Sequence, residues 1–330
     1  ELDSYIDFVG KDLFTQDLRE TLKQFDEADN FGSLIQPEMT SVTEALHSLE
    51  ATDVEGQLFF KETHERVLKA LSQANYLNPK YHVVVANPPY MGGKGMNLRL
   101  SKWAKDNYPE SKSDLFAMFI ERNLALTLKS GFSAMINMQS WMFLSSFEKL
   151  RSKIFSLSNI SSMVHLGVRA FDSIGGEVVS TTAYVLENIA GLSNKGEYLR
   201  LVDGRSEEEK ELAIKEAIRN PDCSWFFRAS ASDFNKISGS PVAYWAPKSL
   251  TNVFSNLPKF NEFGETLQGM TTCDNDFYLR YWYEIDRGQI GLDSASRIEA
   301  KNSQMKWFPY TKGGASRKWY GNNEYVVNWK

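Results

Sequence analysis

The 330-residue sequence is poor in cysteine, with only Cys223 and Cys273, far apart in the chain. Two isolated thiols build no disulfide framework, and their spacing matches no zinc site, so the composition points to a reducing cytoplasm. Histidine is scarce too, at four residues. One of them, in His64-Glu65, opens like a zinc-protease helix, but Leu68 stands where the second histidine is needed. The pair therefore reads as a solvated helix face. No apolar run reaches bilayer length and no signal peptide opens the chain, so no membrane is expected. Excess positive charge is also missing: the net charge of −5 argues, at face value, against a polyanionic partner.

That average conceals an asymmetry. Residues 1–60 hold fourteen acids against three bases, a net of −11, which leaves +6 for the rest of the chain. Residues 301–330 hold six bases, among them Arg317 and Lys318, against Glu324 alone. A locally basic segment on an acidic protein can still track phosphates. It can equally be a solvated loop, and charge by itself does not decide.

What the sequence does have is enough apolar content, 42%, to bury a sizeable core. Leu18, Leu22 and Phe25 recur at helical spacing over 15–28, with Thr15 as a cap, and Val67, Leu68 and Leu71 share a face over 60–76. His82-Val83-Val84-Val85-Ala86 is a short β-branched run ended by Asn-Pro-Pro, the pattern of a strand buried on both faces. Three glycines within Met91–Asn97 predict a mobile loop able to close over something. A helix is expected over 114–129 with Gly131 near its C-cap, then strands at 132–138, 160–166 and 180–187, with a helix at 147–155. Alternating β and α gives an α/β fold with a mostly parallel sheet. Beyond about 195 the pattern becomes irregular and aromatic. The expected domains are a helical acidic segment at 1–80, a catalytic part at 81–239, and a third region from 240, where Gly239-Ser240-Pro241 breaks the pattern.

Asn87-Pro88-Pro89-Tyr90 carries the chemistry. It follows a strand, and ligands of open α/β sheets bind at the carboxyl ends of strands. The Asn87 side-chain carbonyl accepts hydrogen bonds. Pro88 has no N–H, so the backbone offers carbonyls without a competing donor. Two stiffly held acceptors suit an exocyclic amino group, and Tyr90 offers a flat face to a planar base. The lone pair of an aromatic amine is delocalised into its ring. Acceptors on its hydrogens favour a pyramidal nitrogen that can attack a sulfonium methyl, with no metal or strong base. A structural turn would need none of this, and the motif alone leaves that reading open.

Val84–Tyr90 resembles motif IV of the S-adenosylmethionine-dependent amino methyltransferases. Ser113–Glu121 is similar to their motif V, Gly131–Ile136 to motif VI, and Arg169–Asp172 leading to Thr181–Val185 to motif VIII. More narrowly, Phe31–Ile35, Met91–Asn97, Phe143–Glu148 and Lys318–Glu324 resemble the PglX-type adenine methyltransferases of BREX phage-defence systems. The resemblance covers nearly the whole chain. It implies a class I, Rossmann-like sheet, S-adenosyl-L-methionine as methyl donor, and adenine N6 of flipped-out double-stranded DNA as acceptor. By the same resemblance Asn87 and Pro88 accept the N6 hydrogens and Tyr90 stacks on the adenine, while Phe171 packs on its other side. Pro89 and Phe119 line the donor. Residues 240–330 open a target-recognition region in which Arg317 and Lys318 meet phosphates. Association with other phage-defence proteins is left open.

The sequence departs from the family in one respect. The glycine-bearing loop that cradles the donor and the acidic residue that holds its ribose are not found in residues 1–80, where Gly10, Gly32 and Gly56 stand isolated. The chain is therefore expected to be part of a longer enzyme, inactive by itself. Its 82–86 strand is expected to have a free edge, covered by the acidic helices or by self-association. Two other readings stay open: methylation of protein glutamine or RNA guanine, and a non-catalytic interaction module. About 140 residues after Glu187, with basic and aromatic residues interleaved, favour nucleic acid.

Overall fold

The computed structural model describes residues 2–10, 16–39, 41–54, 58–172, 179–191, 193–266 and 269–329. They form two compact units, residues 1–258 and 259–330.

The first unit begins with helices α1 (Leu2–Val9), α2 (Gln16–Phe25), α3 (Ala28–Phe31), α4 (Val42–Glu50) and α5 (Leu58–Leu77). Leu18, Leu22 and Phe25 of α2 and Val67 and Leu71 of α5 fall in one buried cluster with Tyr5 and Leu49, as their periodicity predicts. Thr15, the expected cap, lies outside the described residues. His64 is not solvated: it is buried in that cluster and hydrogen-bonded through Nδ1 to the Tyr5 hydroxyl at 2.6 Å. One apolar neighbour at each helical turn decides its side, and reading the pair by analogy to a metal motif missed that.

A six-stranded sheet follows, made of β1 (Tyr81–Ala86), β2 (Thr127–Met138), β3 (Asn159–Gly167), β4 (Thr181–Glu187), β5 (Lys195–Arg200) and β6 (Phe226–Ser230), in the order β1-β2-β4-β3-β5-β6. β1 pairs parallel with β2 and β3 with β5, while β4 runs antiparallel to both β2 and β3, and β6 to β5. Four strands thus share one direction, and their carboxyl ends define one edge. Helices α6 (Leu98–Asn107), α7 (Leu115–Leu126), α8 (Glu148–Leu157) and α9 (Glu207–Arg219) connect them. The main core lies on the sheet face that carries Met135, Met163, Tyr184 and Tyr198, against Phe116 and Ile120 of α7 and Leu150 and Ile154 of α8.

Several expectations are corrected. β1 is not buried on both faces: Val83 is 57% and Val85 74% exposed. A β-branched run specifies a strand, but burial depends on neighbours, and among the described residues β1 pairs only with β2. Among the described residues of the acidic helices none pairs with β1. Helix α7 stops at Leu126 and β2 starts at Thr127, so Gly131 lies inside the strand. Ser130 there has φ 63°, and the pairing shifts register between Tyr81↔Thr127 and Val83↔Phe132. Glycine follows this bulge because a Cβ at 131 would sit 2.7 Å from the His82 carbonyl oxygen. The stretch after 195 is regular, since β5, α9 and β6 extend the sheet.

The break at Gly239-Ser240-Pro241 is a turn and not a boundary. Val242 and Tyr244 beyond it are buried in the sheet core, and the first unit continues to Pro258. The second unit carries a three-stranded antiparallel sheet of β7 (Leu279–Tyr281), β8 (Trp307–Tyr310) and β9 (Tyr325–Asn328), in the order β7-β9-β8.

Candidate active site

Asn87 to Tyr90 leave the carboxyl end of β1 as an extended turn. Pro88 is buried while Asn87 and Pro89 are exposed, so the ring of Pro88 anchors the turn and the amide of Asn87 stands clear. Tyr90 is 37% exposed and meets the Phe116 ring edge-on, centroids 6.3 Å apart. Burial of its inner part holds the phenol above its ordinary value, so it stays neutral at working pH. Tyr184 accepts a 2.7 Å hydrogen bond from the Asn137 amide and sits in the core.

The glycine loop after the turn is tethered, contrary to the mobile segment expected. Asp114 caps α7 through Phe116 N–H and also accepts from Met91 N–H at 3.0 Å. Burial pushes the Asp114 carboxyl up, against the downward pull of the Phe116, Met91 and Leu115 amides. Gly93 N–H donates to the Ser113 carbonyl, Leu115 N–H to Met91, and Gly95 N–H to Gly92. Asn97 then caps α6 and donates to Asn30, and Arg99 pairs with Glu27. Glycine count signals backbone freedom, but these bonds spend that freedom on a specific path.

Phe119 lies half-buried on α7 between two apolar clusters, and α7 packs against β1. Pro89, exposed, follows Pro88 in the turn after β1. Phe171 is four residues past β3, on the same sheet edge as Asn87, with β2 and β4 between the two strands. Asp172 N–H donates to Glu207, and Glu207 N–H to Asp172, which pins this loop to the start of α9. Arg317 and Lys318 belong to the second unit, with Arg317 3.8 Å from Glu324 and Lys318 over the Trp319 ring. No motif announces the polar row that crosses the carboxyl edge. By strand register Asn137, Thr182, His165 and Arg200 stand side by side on the core face. A single histidine inside the apolar run Met163–Leu166 was the available signal. Arg151, buried under the same edge, donates to the Trp141, Leu144 and Gly239 carbonyls.

The model of the Eco57I restriction-modification methylase family matches residues 7–171, half of the sequence. The chain belongs to that family. Within it, the chain is 41% identical over 317 residues to the adenine-specific methyltransferase BrxX of Escherichia coli O9:H4 (strain HS), covering 95% of this chain and 25% of that protein. It is 40% identical over 329 residues to the adenine-specific methyltransferase PglX of Lacticaseibacillus casei (strain Zhang), covering 97% of this chain and 27% of that one. The chain thus spans about a quarter of the length of these relatives. A solved structure of a nuclease-deletion mutant of the Type ISP restriction-modification enzyme LlaGI with a DNA substrate mimic has a TM-score of 0.42 at 18% identity, over 62% of this chain and 18% of that one. That likeness carries no argument about function. For a restriction-modification methylase, the family match spans the Asn87–Tyr90 turn, its tethered loop, α7 and β3 up to Phe171. Among the described residues no helix is long and apolar enough to cross a membrane.

Proposed function

We propose that this chain supplies the target-base side of a DNA adenine-N6 methyltransferase active site, within an enzyme of the BREX phage-defence type. The observation that carries the reading is the Asn87–Tyr90 turn at the carboxyl end of β1, with Pro88 buried and the Asn87 amide exposed, in a chain of this family.

S-adenosylmethionine, when bound, supplies an electrophilic methyl group on sulfonium, and Pro89 and Phe119 would hold its near flank. The remaining chemistry belongs to residues of this chain. The Asn87 Oδ1 and the Pro88 carbonyl accept the two hydrogens of the adenine amino group and draw its nitrogen toward a pyramidal form. They also disperse the positive charge that grows there. Anchoring by Pro88 means that little reorganises as that charge develops. Tyr90 and Phe171 flank the flipped base, and stacking offsets the cost of unpairing it. In the second unit Arg317 and Lys318 contact duplex phosphates.

The test is a product assay on a full-length protein carrying this sequence, with labelled S-adenosylmethionine and genomic DNA lacking methylation. Label recovered as N6-methyladenine is the expected result. Label in protein glutamine or in RNA guanine, with none in DNA, would overturn the proposal.

A further inference from the structure

Strand order places the carboxyl end of β2 between that of β1, which bears Asn87 to Tyr90, and the start of β4. Gln139 is the first residue past β2. Its backbone N–H donates to Ser180 at 2.9 Å, which fixes it to the neighbouring strand entry. Ala86, the last residue of β1, pairs with Met135, so Asn87–Tyr90 and Gln139 leave neighbouring strands at the same carboxyl edge of the sheet. On the other side of β4 is β3, from which Phe171 follows. Along the carboxyl edge Gln139 therefore falls between Tyr90, one strand away, and Phe171, two strands away, and its side chain is half-buried.

The orientation of its amide is determined by hydrogen bonding. His165 is buried, with Nδ1 3.0 Å from the Tyr244 hydroxyl and Nε2 2.6 Å from the Gln139 Oε1. Burial, and the nearby Arg200 and Lys210 cations, lower the imidazole to about 4, so the ring is neutral and carries one proton. The Tyr244 hydroxyl has His165 as its hydrogen-bond partner and donates to Nδ1. The proton of the ring then sits on Nε2, and Nε2 needs an acceptor. Gln139 must turn its carbonyl to the histidine and its NH2 away. Tyr244 is itself fixed by stacking on Tyr198 at 4.8 Å and by Trp245 edge-on at 4.9 Å. The Trp245 ring carries Arg200 at 5.8 Å. The Gln139 NH2 has no protein partner among the described residues. The neutral His165 and the packed Tyr244 thus hold the Gln139 carbonyl and leave its NH2 as a donor free of protein partners at the carboxyl edge.

We propose that Gln139 is a specificity-determining residue: its amide N–H donates to a ring nitrogen beside the amino group of the target base, N1 or N7 of adenine. This rests on the proposed N6-methyltransferase reading. Asn87 and Pro88 present acceptors and recognise only an amino group, which cytosine also carries. Adenine offers an acceptor on each side of that amino group, N1 and N7, whereas cytosine offers N3 on one side and a C5–H on the other, so it is a contact to N7, read by the 7-deazaadenine substrate, that excludes cytosine. The Gln139 carbonyl stays with His165, so the side chain cannot flip to suit a donor-bearing edge.

The test uses a full-length protein carrying this sequence and a duplex whose methylated site has been located by sequencing. Wild type, Gln139→Ala and Gln139→Glu are compared on adenine, 7-deazaadenine and 1-deazaadenine at that site. Gln139→Glu can still accept from His165 but has nothing to donate, and its melting temperature and S-adenosylmethionine affinity should match wild type. Both variants should lose about tenfold in kcat/KM on adenine, the size of one hydrogen bond. One of the two deaza substrates should cost wild type a similar factor and cost the variants nothing further. Full activity of Gln139→Glu on adenine, or deaza losses equal in wild type and variants, would overturn the assignment while leaving the methyltransferase reading intact. No methylation of any adenine by wild type would overturn both.

Discussion

Removing the buried guanidinium of Arg151 is the perturbation whose cost follows most directly from the structure. Arg151 is 1% exposed. Its Nε and Nη2 donate to the Gly239 carbonyl at 3.0 and 2.6 Å, and Nη1 donates to Trp141 at 2.9 Å and Leu144 at 2.7 Å. Arg151→Met keeps the aliphatic stem and deletes those donors. The three carbonyls then fare differently. Leu144 keeps the Phe147 N–H at 3.1 Å, and Gly239 is half-buried and can turn to water. Trp141 is fully buried, so its carbonyl is stranded, at about 1–3 kcal/mol, with about 1 kcal/mol for each of the other lost bonds. Burial lowers the guanidinium from its ordinary value, and removing that desolvated charge returns part of the loss. The expected net destabilisation is roughly 3 kcal/mol. It would be read as a fall in the urea midpoint at unchanged m-value. The variant should also lose methyl transfer before it loses the fold, because Arg151 pins residues 141–144 just behind Gln139. A loss below about 1 kcal/mol would refute the reasoning, since it would mean that the stranded carbonyl costs nothing.

Three further outcomes are expected. Tyr90→Phe should keep most activity, while Tyr90→Ala should weaken the hold on the flipped base by about 1–3 kcal/mol, measured with 2-aminopurine at the target; equal loss in both would point to the hydroxyl instead of the ring face. Reversing Arg317 and Lys318 to Glu should weaken binding to all DNA sequences and flatten its salt dependence, and an unchanged slope would return them to a solvated loop. The 330-residue chain alone should bind S-adenosylmethionine only in roughly the millimolar range, as Pro89 and Phe119 give one flank, and should self-associate through the free edge of β1 unless Val85 becomes Lys. Calorimetry showing low-micromolar binding to a monomer would contradict that.

The strands and helices that position the site were legible because their patterns are local. The run His82–Ala86 ended by two prolines marks a strand and its exit, and Asn87 with Pro88 announces two acceptors by residue type alone. Burial was less legible, because it depends on what lies alongside: Val85 reads as core by composition and is exposed on an edge strand. The Ser130 bulge escaped notice since Gly131 suits a helix end as well as a close strand crossing. Gly239 looked like a boundary because a turn and a linker share the same residues, and only the burial of Val242 and Tyr244 beyond it distinguishes them. The Gln139–His165–Tyr244 chain joins residues 26 and 79 positions apart, a separation at which one sequence offers no pairing signal.

The central claim, that the Asn87 carbonyl activates an adenine amino group, is tested most directly by single-turnover methyl transfer with Asn87→Ala in a full-length protein carrying this sequence. DNA carrying 2-aminopurine at the target should still be bound and its base flipped, because Tyr90 and Phe171 are untouched, while on the matching adenine DNA the methyl-transfer rate falls roughly a hundredfold or more. Flipping and transfer both near wild-type rates would contradict the account.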